Sequence, residues 1–140
     1  MGEATHIEPD LQQAVFDILD ADVPLRTLLG GAGRILDFVK DGQALPYVTV
    51  GDSTMGDWST HDTDGFEGSF TVSVWAEARG KTKAKDIQKL IWGLIHNKAL
   101  GIAGRTQINL RCGLQTVLRE DDGRTHQGIQ RFDFIFGGNE

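Results

Sequence analysis

At 140 residues, 39% of them apolar, the chain has the length for one compact domain, which at this size buries roughly two thirds of the unfolded chain's surface. The formal net charge of −6 and the dispersed Lys and Arg argue against a dedicated nucleic-acid binder, because phosphate contacts need clustered basic side chains. Cys112 is the single cysteine, which excludes an intrachain disulfide and a thiolate metal cluster and fits a reducing compartment. The polar start "MGEATHIEPDLQQ" contains no apolar signal segment, and no run reaches the ~20 apolar residues of a spanning helix. Residues 1–9 are expected to be a flexible tail.

In "DLQQAVFDILDA", Leu11, Ala14, Val15, Ile18 and Leu19 recur at spacings of three and four, the stripe of an amphipathic helix. "DVPLRTLLGG" follows with Asp22 as a cap, Pro24 in the first turn and Gly30 and Gly31 as a stop, a short helical turn. "RILDFV" and "LPYVTVGD" read as two short strands, the second rich in β-branched residues just past Pro46. Residues 53–69, dense in Asp, Gly, Ser and Thr, read as a long polar loop. From 66 to 77 the chain alternates, with Phe70, Val72, Val74 and Ala76 on one face and Thr71, Ser73, Trp75 and Glu77 on the other, the pattern of a half-buried strand.

"TKAKDIQKLIWGLIHNKAL" sets Ile87, Leu90, Ile91, Leu94 and Ile95 on one helical stripe opposite a row of lysines. Two alternating runs close the chain, "QINLRCGLQTVLRE" and "RTHQGIQRFDFIF", joined by "DDGR", whose Asp and Gly tolerate the positive φ of a hairpin turn. Phe132, Phe134 and Phe136 share a face, and Gly113 marks a bulge expected to turn both Cys112 and Leu114 inward. The order helix, strands, helix, hairpin predicts an α+β domain spanning 1–140: an antiparallel or mixed sheet of four to five strands with two main helices on one face.

The stretch "GDSTMGDWSTHDTDGFEGSF" crowds Asp52, Asp57, His61, Asp62, Asp64 and Glu67. As an EF-hand loop it fails: with Asp62, Asp64 and Gly65 at the third, fifth and sixth positions, Thr60 and Thr71 stand where the first carboxylate and the bidentate Glu belong. A metal-dependent hydrolase using Asp57, His61, Asp62 and Asp64 is the enzymatic alternative. It lacks a nucleophile with a base in reach, or carboxylates in distinct environments. No histidine pair has a metal-ligand spacing, and His6, His61, His96 and His126 are each expected to be solvated. "GGAG" at 30–33 ends a helical turn instead of opening a helix after a strand, so it reads as a stop and not a phosphate loop. Lys81, Lys83, Lys85 and Lys89 form a basic patch, ordinarily a solvated face. Trp75 lies on the strand face away from the apolar one, the placement of a subunit contact or of an aromatic covered by its own chain.

The ordered series "LQQAVFDILDADVPLRTLLGG", "LPYVTVGDST", "DWST", "FTVSVWAEARGKTKAKDIQKLI" and "RCGLQTVLREDDGRTHQGIQRFDFIF" resembles the small tail-completion proteins of long-tailed bacteriophages and gene transfer agents over nearly the whole chain. The resemblance implies a tail terminator of the virion. Such a protein forms a homo-hexameric ring on the head-proximal end of the tail tube, halts tube polymerisation and offers a docking surface to the head-completion, or stopper, complex. It implies neither enzymatic activity nor a cofactor, no membrane, and DNA that passes through the lumen unbound. Within that frame Trp58, Trp75, Asp57, Asp62 and Asp64 are the expected assembly-interface residues. Trp58 is the anchor in the bound state, and the acids keep the loop solvated beforehand. Another connector component, a head-completion protein or a tube subunit, is the related alternative.

Overall fold

The computed structural model describes residues 8–37, 39, 41–59, 64–77, 81–102, 105–120 and 122–137. Helix α1, Glu8–Ala21, buries Leu11, Val15 and Leu19, one side chain per turn on the predicted stripe. It begins within the stretch expected to be a tail, because Pro9 occupies the first turn, where a missing N–H removes no intrahelical bond. Asp22 caps α2, Val23–Leu28, by accepting a hydrogen bond from the Leu25 N–H at 3.0 Å. The helix stops at Leu29, and Gly30 takes the positive φ of 90° that closes it.

Five strands follow in one mixed sheet, in spatial order β1-β2-β3-β5-β4. Strand β1, Ile35–Leu36, runs parallel to β2, Tyr47–Asp57. All other neighbours are antiparallel: β2 with β3, Phe66–Glu77; β3 with β5, Thr125–Gly137; β5 with β4, Thr106–Arg119. Helix α3, Thr82–Ile95, crosses between β3 and β4. The helices share one face of the sheet, as predicted. There Val48, Val50, Phe70, Val72, Val74, Ala76, Phe132, Phe134 and Phe136 meet Leu11, Val15, Leu19, Leu25, Ala84, Ile87, Ile91 and Ile95 in a single core. Phe70 stacks against Phe132 at 5.4 Å and Phe134 at 6.3 Å, so three phenylalanines from adjacent strands fill the centre, each worth about 1.5–3 kcal/mol of burial.

A polar seam runs through the contact of α3 with the sheet. Gln88 is fully buried and donates to the Thr116 carbonyl at 3.1 Å. Gln130, also buried, donates to the Gln88 carbonyl at 3.1 Å and to the Gln115 side chain at 2.7 Å. Gly128 makes room for it: a Cβ there would stand 2.6 Å from Gln88 Nε2, so any side chain would displace the amide.

Three expectations are corrected. Residues 53–69 are mostly not a loop: β2 continues through Asp57, β3 begins at Phe66, and Trp58 N–H to Gly65 O at 2.9 Å extends the hairpin. Backbone ladders carry this arm, and polar side chains do not oppose it. Burial alternation stops after Val50, and Asp52, Ser53, Thr54, Gly56 and Asp57 are exposed. A bulge between Gly51 and Thr54 puts Asp52 at φ 47°. It also presses the Thr54 carbonyl into the space a Cβ at Gly68 would need.

The bulge at Gly113 is present between Cys112 and Leu114, yet only Cys112 turns inward. The extra residue shifts the phase of alternation, so Leu114 lands on the outer face, 47% exposed. Two of the four histidines are packed, not solvated. His126 is 2% exposed on the core face of β5, and His96, stacked 4.2 Å from Trp92, accepts the Cys112 N–H on Nδ1 at 3.0 Å.

Candidate assembly surface

The end of the β2–β3 hairpin carries the acidic stretch. Ser59 donates to Asp57 Oδ1 at 2.5 Å and its hydroxyl accepts the Gly65 N–H at 3.3 Å, so the two sides of the hairpin are tied just beyond the last ladder pair, Asp57 with Phe66. Trp58, 37% exposed, lies over Gly65: a Cβ at Gly65 would sit 3.0 Å from the indole Cε3 and 3.1 Å from the Phe136 carbonyl. A side chain at Gly65 would crowd the indole, which in its present place leaves about a third of Trp58 to solvent. Asp57 and Asp64 are exposed beside it. Asp62 and His61 lie outside the described residues. Among those described, no group of three or more His, Cys, Asp or Glu converges to hold a metal ion. Glu67, on the β3 side of the arm, lines with Asp133 an open groove of about 540 Å³ shared with Thr54, Met55 and Asn109.

Trp75 lies on the outer face of the sheet, as the alternation predicted. It is half-buried, stacked on Tyr47 with ring centroids 6.2 Å apart and an interplanar angle of 22°. The contact follows from register, since Tyr47 and Trp75 are direct cross-strand partners. Its own chain therefore covers part of the indole, and burial pushes the Tyr47 hydroxyl above its ordinary pKa. Trp75 Nε1 is buried with no hydrogen-bond partner among the described residues. Trp58 and Trp75 do not meet: they stand at opposite ends of the 11-residue β2, roughly 30 Å apart at the rise of an extended strand.

Sequence reasoning passed over the edge strand β4, where Ile108, Leu114 and Leu118 are 50%, 47% and 47% exposed. Leu118 aligns with Gln127, and through it with Trp75 and Tyr47, in one row across the outer face. Leu114 and Leu118, four residues apart beyond the bulge, share the outer face, and finding either required knowing that the bulge reverses the phase. An ion pair, Arg131 with Asp133 at 3.3 Å, sits in the same face, and a Cβ at Gly113 would collide with the Asp133 carboxylate. Burial pushes the Cys112 thiol up, and its S–H donates to the Leu114 carbonyl at 3.3 Å, so this cysteine is not the lowered-pKa nucleophile of thiol chemistry. Between α3 and β4 lies an open groove of about 450 Å³ lined by Lys81, Lys85, Gln88, Gln115, Thr116 and Val117. No described helix is long and apolar enough to cross a membrane.

Among the described residues, exposed aliphatics stand on β4 and a partly exposed tryptophan follows β2. The chain is 24% identical over 129 residues to the Tail completion protein gp17 of Bacillus phage SPP1, covering 92% of this chain and 93% of that protein. Its fold matches a chain in the virion of a native gene transfer agent particle with a TM-score of 0.85 and 24% identity, over 96% of this chain and 100% of that one. The sequence profile of the family described as Tail completion protein gp17 matches residues 13–137, all but the two ends, and the chain belongs to that family.

Proposed function

We propose that this protein is a tail terminator, a non-enzymatic component of a phage or gene-transfer-agent virion that closes as a homo-hexameric ring on the head-proximal end of the tail tube. There it halts addition of tube subunits and presents a surface to the head-completion complex. The observation that carries the reading is the hairpin arm. β2 ends at Asp57, and Trp58 just beyond it packs on Gly65 and remains 37% exposed beside the exposed carboxylates of Asp57 and Asp64. A partly exposed aromatic at a solvated tip is the form of an interface anchor. A ring needs one patch to meet a different patch on its neighbour, and a sheet with two unlike open edges supplies both. The net charge of −6 suits a channel through which DNA passes without sticking.

The test is Trp58→Ala in a particle-producing background. The variant is expected to keep the wild-type circular dichroism spectrum and melting temperature while yielding few DNA-bearing particles and tail tubes of uncontrolled length. Normal tube lengths and particle yield from that variant would refute the anchor. Gold labelling of the wild-type protein distinguishes its place in the particle: label at one tube end fits a terminator, and label along the tube would make it a tube subunit instead.

A further inference from the structure

The sheet has two open edges, and they carry opposite charge. On one side β1 pairs only with Val48 and Thr49, leaving β2 unpaired from Gly51 to Asp57, with the Val50 carbonyl taken by Gln12 at 3.3 Å. The exposed ionisable residues described on this side are Asp37 and Asp41 beside β1 and Asp52 and Asp57 on β2. On the other side β4 is unpaired along its outer edge, with Arg111 and Arg119 exposed on it and Lys81 and Lys85 lining the groove next to it. None of these four cations makes an ion pair with a described residue.

Register fixes the heights. Thr54 aligns through Ser69 and Asp133 with Arg111, so Arg111 stands level with the stretch between Asp52 and Asp57. Ile35 aligns through Val48, Val74 and Gly128 with Val117, so the lysine groove is level with β1 and the adjoining Asp37. The four long strands alternate in direction, so β2 and β4 run opposite ways. A second copy placed side by side in the same orientation would set its β2 antiparallel to this copy's β4, acid against base at both heights.

We propose that these edges are the two halves of one heterologous contact between copies of this chain: the β1/β2 edge of one, with Asp37, Asp41, Asp52 and Asp57, seats against the β4/α3 edge of the next, with Arg111, Lys81 and Lys85. This rests on the reading that copies close into a ring, and specifies which surfaces close it. The alternative two-fold arrangement would bring like-charged edges together, which is unfavourable. The bulges at Ile108 and Gly113 interrupt β4, so the shared ladder is short and side chains carry most of the contact. The same bulges protect the free protein from open-ended edge pairing. Ile108, Leu114 and Leu118 flank the charged line and lose water when the neighbour arrives.

The experiment uses two full-length variants. Asp52→Lys with Asp57→Lys makes both edges basic; Arg111→Glu with Lys85→Glu makes both edges acidic. Arg111 and Lys85 are exposed and their side chains make no bond with a described residue, so that variant should melt like wild type; Asp52 sits at φ 47° and Asp57 accepts the Ser59 hydroxyl, so the first variant is compared well below its own melting midpoint, where it is fully folded. Self-association is read by sedimentation velocity, and particle formation by co-expression with the other tail components. Each variant alone is expected to associate roughly tenfold more weakly than wild type, more so at low salt, and to give few particles. Their equimolar mixture is expected to restore both, because each acidic edge now meets a basic one. Wild-type behaviour from either variant alone, or no recovery on mixing, would overturn the edge contact. Failure of the wild type itself to form any oligomer in assembled particles would instead remove the ring reading beneath it.

Discussion

Gly128→Ala places a methyl group where the structure leaves none. The new Cβ would stand 2.6 Å from Gln88 Nε2, 2.9 Å from Cδ and 3.3 Å from Cγ. Gln88 cannot swing outward without giving up its 3.1 Å bond to the Thr116 carbonyl, and it also supplies the carbonyl that Gln130 holds at 3.1 Å. Overpacking a filled core costs about 1–3 kcal/mol, and stranding a buried amide about 1–3 more. The reduced entropy of the unfolded chain returns about 0.4–1 kcal/mol. A net loss of about 2–4 kcal/mol follows, lowering the melting temperature on the order of 10 °C for a domain of this size. Urea titration followed by tryptophan fluorescence measures it. A double-mutant cycle then isolates the cause: Gln88→Ala clears the space, so the double variant should be more stable than the sum of the single losses predicts, by about 1 kcal/mol or more. A Gly128→Ala protein within about 0.5 kcal/mol of wild type, or strict additivity in the cycle, would refute the packing account.

Other perturbations follow the same logic. Phe132→Ala removes a fully buried ring stacked on Phe70 and is expected to cost about 3–5 kcal/mol in chemical denaturation; a loss under about 1 kcal/mol would mean the site collapses freely. Asp22→Ala deletes the side-chain acceptor of the Leu25 N–H and should cost about 1 kcal/mol, with Asp22→Asn recovering most of it. Asp122 accepts from the Thr125 hydroxyl at 2.7 Å and from the Thr125 and Arg124 N–H groups at 2.8 Å each. The Thr125 hydroxyl bond leads in lowering its carboxyl to about 2. A depressed folded-state pKa stabilises above the ordinary carboxylate range and loses that contribution as pH falls through about 2. Melting curves of Asp122→Asn should therefore decline less than wild type between pH 4 and pH 2, and parallel declines would disprove the assignment.

Much of the architecture was legible because it rests on periodicity. The alternation of Phe70, Val72, Val74 and Ala76 and the stripe of Ile87, Ile91 and Ile95 each state which face is buried, and the core uses those faces. The "DDGR" turn was readable because Asp122 and Gly123, at φ 73°, do there what their chemistry allows. What failed did so for identifiable reasons. Ser53 to Asp57 looked like loop because strand pairing is a property of the backbone, and an arm exposed to water needs no apolar alternation. Leu114 pointed the wrong way because a bulge reverses the phase of all that follows it, and sequence can suggest a bulge without saying which residue is extra. His126 could have been placed: counting back by twos from Phe136 and Phe132 reaches Gln130, Gly128 and His126 on the same buried face of β5. Of the proposed assembly surface, the aromatics and Asp57 were legible in the sequence. Trp58 and Trp75 stand out in a sequence, whereas the opposed charge of two edges exists only once the strand order β1-β2-β3-β5-β4 is known.

The glutamine seam beneath α3 bears on how this domain can change over time. Hydrocarbon packing tolerates a helix shifted by part of a turn, but an amide bonded to a particular carbonyl does not, so Gln88 and Gln130 index α3 against the strands as a notch indexes a dial. Because α3 also carries Lys85 on its rim, a mutation that slipped the helix by one residue would redirect an outward-facing charge from inside the protein. Insertions and deletions should accordingly accumulate in the segments that join α3 to the sheet and spare α3 itself, Thr82–Ile95.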